Sequence, residues 1–98
     1  MRRNNINAAL RIVHSYLDGK SSRIELELDF PYEIEQRYLK MYAEDPEYAI
    51  LIFDRLVQDG VCCWDKLSDE EFRAKVKEAY ENILDIAKDG FWEKTWFL

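Results

Sequence analysis

The chain has 98 residues, 48% of them apolar, 14% aromatic and 35% charged, with a formal net charge of −6. That length bounds it to one domain, residues 1–98, whose single core needs neither metals nor disulfides to fold. The charge excludes free nucleic acid as a ready partner, because phosphate repels a surface with no segregated basic patch.

The charge is unevenly spread. Residues 1–24 hold five bases and one acid, residues 25–54 hold nine acids and two bases, and residues 55–98 hold ten acids and seven bases. Most of the excess negative charge therefore falls in the middle stretch. The two cysteines, Cys62 and Cys63, are adjacent. A bridge between neighbours is strained away from normal disulfide geometry, so reduced thiols and a cytoplasmic setting are expected. No apolar stretch of signal-peptide length follows Arg2 and Arg3, and the longest apolar run, Tyr48–Phe53, is too short to span a bilayer.

The first helix is expected from about Ile6 to Asp18, capped by Asn4 or Asn5, because Ile6, Ala9, Leu10, Val13 and Leu17 recur at helical spacing. Gly19, Gly60 and Gly90 each follow an aspartate and close an apolar-periodic segment, as glycine does just past a helix end. In Arg23–Phe30, Ile24, Leu26, Leu28 and Phe30 alternate with charged residues, which predicts a half-buried strand. Pro31 ends that strand and opens a second helix to about Ala43. Asp45-Pro46 starts a third, to about Asp59, apolar around most of its circumference and so central to the core. Val61–Trp64 reads as a short second strand. Ser68 and Glu71 form a capping box for a long fourth helix to about Lys88, with Phe72, Val76, Ala79, Tyr80, Ile83, Leu84 and Ala87 inward. The expected fold is mainly α with a minor β element (α+β), in the order αβαα(β)α.

A lone strand leaves backbone groups to be satisfied. Val61–Trp64, the same strand of a second copy, or an edge from a binding partner would each satisfy them. On the predicted strand, Glu25, Glu27 and Asp29 share one face, about 6.6 Å apart in succession. Such a row is what any wet strand face presents, and it also spans carboxylate separations used in sugar hydrolysis. Three carboxylates in one environment lack the split pKa values that acid–base pairs need. Followed by Glu33 and Glu35, they read instead as an anionic, phosphate-like face for a basic protein surface. Trp92 and Trp96, in an aromatic C-terminal tail, are either core or apolar anchors of an interface.

His14 with Cys62 and Cys63 supplies too few metal ligands at the wrong spacing for a zinc knuckle, and no nucleotide, metalloprotease or serine-hydrolase motif is present. No cofactor and no metal are expected. The functional expectation is a non-catalytic interaction protein. It would be an inhibitor docking Glu25, Glu27, Asp29, Glu33 and Glu35, with Trp92 and Trp96, on a basic surface of a larger target. Bacteriocin immunity proteins and phage anti-defence proteins such as anti-CRISPR inhibitors share that size and charge, a likeness of those two properties alone. The alternatives are a homodimer pairing through its lone strand and a small carboxylate or Cys/His enzyme.

Overall fold

The computed structural model describes residues 3–88, with side chains through Ile86. Among them are four α-helices and no strand: α1 (Asn4–Leu17), α2 (Arg23–Glu44), α3 (Pro46–Ile52), continued directly by a π-helical segment (Phe53–Val61), and α4 (Asp69–Lys88). α1 packs on α2 and α4, and α3 with its π-helical continuation packs on the same two helices. The four rods form a ring around one core, in which Ile6, Phe30, Ile34, Met41, Ile52, Leu56, Phe72, Val76 and Ile83 are fully buried.

The expected α+β class is thereby corrected. The predicted strand Arg23–Phe30 and the predicted second helix are one helix of 22 residues, α2. Alternating residues 24, 26, 28 and 30 satisfy period 2, but Leu26, Phe30, Ile34 and Met41 recur at helical spacing and are the ones buried. Ser22 caps α2 through a capping box: its side chain accepts from the Glu25 N–H at 3.1 Å, and the Glu25 carboxylate accepts from the Ser22 N–H at 2.9 Å. Pro31 sits inside the helix, where a missing N–H and a ring clash cost about 3 kcal/mol. Burying four large apolar side chains returns on the order of 6–12 kcal/mol, so the helix runs through. The second predicted strand, Val61–Trp64, is the end of the π-helical segment followed by a turn.

Helix ends are held by residues far away in sequence. No side chain of its own flank caps α1, whose N-cap is Arg3 rather than Asn4 or Asn5. The cap comes from the far end of α2: the Glu44 carboxylate accepts from the backbone N–H of Asn5 at 2.9 Å and of Ile6 at 3.0 Å, and from the Asn5 side-chain amide at 2.7 Å. At the other end of α1, Gly19 adopts φ +79° and closes the helix, with its N–H on Tyr16 and that of Lys20 on Ser15. Asp45 caps α3, accepting from the Tyr48 N–H, and pairs with Arg3 at 3.0 Å while only 4% exposed. The capping box of Ser68 and Glu71 opens α4 as expected. Gly60 does not stop a helix in the left-handed form. With Asp59 it marks a kink at which the helical geometry of the segment breaks (Gly60 φ −126°, ψ −125°), and it is buried there, where a Cβ would meet the Arg55 carbonyl oxygen at 2.8 Å. Gly90, Trp92 and Trp96 lie outside the described residues.

Two stability outcomes follow from these contacts. Gly60→Ala is expected to cost about 1–3 kcal/mol in urea unfolding, because its methyl meets rigid backbone. Burial by itself raises the Glu44 carboxyl, but the N–H groups of Asn5 and Ile6 outweigh it and hold the acid below the usual glutamate range. Its stabilisation is therefore present above the unfolded pKa and lost as pH falls through the lower folded value. Glu44→Gln should lower stability at neutral pH by about 1 kcal/mol. It should also flatten the acid limb of the stability–pH curve relative to the unsubstituted chain.

Candidate functional site

α2 carries apolar side chains on two opposite sides. At about 100° per residue, Leu26, Phe30, Ile34 and Met41 point into the core, and Ile24, Leu28, Tyr32, Leu39 and Tyr42 fall within an outward arc of about 80°. Those five are exposed to 66%, 70%, 59%, 82% and 45% respectively, although each is a large apolar or aromatic residue. From Ile24 to Tyr42 the stripe is about 27 Å long at about 1.5 Å per residue. Its apolar positions, 24, 28, 32, 39 and 42, step by four, four, seven and three, sums of the threes and fours that space a helix–helix seam. Glu35 stands at its middle.

The start of α2 is fixed by Arg23. Its guanidinium donates to Asp69 at 2.7 Å and to the carbonyls of Trp64 and Asp65 at 3.1 Å, and lies 4.3 Å over the Phe72 ring. Phe72 in turn meets Tyr16 and Trp64 edge-on. One planar fork thus ties α2 to the 64–69 loop and to the first turn of α4, and orients the outward stripe relative to the bundle. Arg73 reaches the last carbonyls of α1, those of Tyr16 and Leu17. On the other flank of the stripe, Tyr38 stacks against Phe53 of the π-helical segment at 5.4 Å and against Tyr42 at 6.1 Å.

The five predicted acids do not form one row. Being helical, Glu25, Asp29 and Glu33 share one side of α2, Glu27 faces the other side, and Glu35 lies within the stripe. Glu27 approaches Arg23 at 3.5 Å and Glu33 pairs with Arg37 at 3.2 Å. Glu25 is engaged at the helix cap, where the Ser22 backbone N–H and then the Ser22 hydroxyl hold its carboxyl below the ordinary range. Glu44 and Asp45 turn inward as caps. Of the acids between residues 25 and 54, those left toward solvent with neither a capping role nor an ion-pair partner among the described residues are Asp29 and Glu35 on α2 and Glu47 and Asp54 beyond it. Trp92 and Trp96, the predicted apolar anchors, fall outside the described residues.

The thiols and the histidine have separate surroundings. His14 lies on α1, 3.3 Å from Asp18 and beside the Tyr80 ring. Cys63 donates to the Gln58 carbonyl, while desolvation, with Cys63 and Glu35 nearby, pushes the Cys62 thiol above its ordinary range. A raised thiol is a poorer nucleophile at neutral pH. Among the described residues no group of three His, Cys, Asp or Glu side chains is placed to hold a metal ion. No described helix is long and apolar enough to cross a membrane.

Comparison with protein-family models, with curated proteins and with solved structures finds no match to this chain.

The alternation of residues 23–30 hides the outward stripe, because a strand places Ile24 and Leu28 on one face with Leu26 and Phe30. The signal that separates them is Ser22–Glu25, a capping box that starts a helix at Arg23. The role of Arg23 is testable directly. Arg23→Lys keeps the charge but not the fork, and should lower the thermal midpoint by several degrees, nearly as much as Arg23→Ala does. Equal stability of Arg23→Lys and the unsubstituted chain would refute the assignment.

Proposed function

We propose that this chain is a non-catalytic interaction protein whose contact surface is the outward face of α2. The observation that carries the reading is the line of Ile24, Leu28, Tyr32, Leu39 and Tyr42, interrupted only by Glu35 and exposed along the helix opposite its core face. Apolar side chains exposed singly are ordinary; five in one stripe form a patch of the kind that marks protein contacts. Burial of that stripe supplies the affinity. Glu25, Asp29 and Glu33 along one edge, and Glu35 within it, select a partner with basic groups at its rim. This narrows the phosphate-like plate expected from the sequence to an apolar seam with an acidic edge. An inhibitor that docks on a larger target and a structural adaptor both work through such a seam. Two free thiols at the surface, Cys62 and Cys63, support a reducing, cytoplasmic setting.

The test is position-specific photo-crosslinking in the cells that make the protein. A photoreactive residue at Leu28 or Leu39 is expected to give a discrete protein adduct, and one at Lys77, on the outer side of α4, is not. Adducts whose yield is the same at all three positions, or no adduct at any, would overturn the reading.

A further inference from the structure

Resting on that reading, we infer that the occupant of the outward face of α2 is a second copy of this chain, paired antiparallel about a two-fold axis. The stripe is complementary to itself when reversed. With the axis passing between Glu33 and Ile34, Leu28 falls opposite the second copy's Leu39, and Ile24 falls beside its Tyr42. Tyr32 falls opposite its Glu35. In a two-fold antiparallel pair, residues on one side of the seam meet residues on the same side of the partner helix. The aliphatic members of the stripe, Ile24, Leu28 and Leu39, then each find an apolar or aromatic neighbour.

The charged residues agree with this register. Glu35 is a carboxylate in the middle of an apolar line, costly to bury unpaired. A parallel pairing would set it against its own copy. The reversed register sets it against a tyrosine hydroxyl, which donates a hydrogen bond to it. At the rim, Asp29 and Lys40 lie on the same side of the stripe, near opposite ends of it. Reversal brings Asp29 to the second copy's Lys40 within about one helical turn, twice over by symmetry. Lys40 is the one basic residue on the exposed edge of α2 that holds no ion pair among the described residues. The acidic half of the edge, Glu25 and Asp29, thus meets the half that carries the lysine.

The area is also of the right order. Five mostly exposed large side chains, with the rim residues beside them, offer several hundred Å² per chain. That approaches the roughly 800 Å² per partner of a standard interface. The predicted strand-to-strand homodimer has no strand to use, and the helix seam takes its place.

Sedimentation analysis of the unsubstituted chain over the micromolar to millimolar range tests this. The expected result is a reversible approach to twice the 11.8 kDa chain mass. Leu28→Lys is expected to hold the protein at the monomer mass while leaving its helical circular dichroism unchanged, since the Leu28 side chain is 70% exposed. Asp29→Lys and Lys40→Asp singly are each expected to weaken the dimer about tenfold, from two like-charge contacts of roughly 0.5–1 kcal/mol each, and the double exchange to restore it. A single 11.8 kDa species at every concentration overturns the self-pairing. So does a dimer indifferent to Leu28→Lys, or one that the double exchange fails to rescue. Cross-links from Leu28 and Leu39 to a different protein, with the chain monomeric, would sink this inference and leave the proposed contact surface standing.

Discussion

A helix packed against one layer of neighbours can bury only one side, and α2 is apolar on two. Its inward side, Leu26, Phe30, Ile34 and Met41, closes the core. Its outward side has nothing over it among the described residues. Everything that fixes α2 in place therefore also fixes an uncovered seam in space. Arg23 clamps one end to the 64–69 loop and Phe72, and Glu44 clamps the other to the first turn of α1. Pro31 marks where the core's demand overrides local preference, since its backbone cost is smaller than the burial gained by running the helix through it.

The same geometry reassigns the negative charge. A cluster of nine acids over thirty residues looks, as a string, like a surface built for a cationic target. Folded, much of it is consumed by structure. Glu25 and Glu44 satisfy helix N-termini, Asp45 caps α3 beneath Arg3, and Glu27 and Glu33 sit against arginines on their own helix. Carboxylates near N-terminal N–H groups are favoured by both hydrogen bonding and the helix dipole. What remains facing outward is an edge beside an apolar stripe, where charge sets partner choice and register more than affinity.

Much of the helical framework was legible. The spacing of Ile6, Ala9 and Val13, the Asp45-Pro46 start of α3 and the Ser68–Glu71 box all report local physics that tertiary packing does not override. Arg23–Phe30 resembles a strand because a four-fold alternation fits period 2 as well as two turns of a helix apolar on both sides. The usual arbiter, a proline after Phe30, pointed the wrong way. The N-terminal cap of α1 was not legible at all, because Glu44 reaches it from nearly forty residues away. The candidate surface was half legible. Glu35 and its neighbouring acids were singled out by composition, but the residues that give the surface its meaning, Ile24, Leu28, Tyr32, Leu39 and Tyr42, line up only once residues 23–44 are known to be one helix.

That continuity is what the account rests on, and backbone chemical shifts measure it directly. If α2 is unbroken, the Cα resonances of residues 23–30 will lie downfield of their random-coil positions, as will those of residues 32–44, with no reversal across Pro31. Upfield shifts over 23–30 would place that segment in an extended strand, return Leu28 and Ile24 to the same face as Leu26 and Phe30, and dissolve the outward seam.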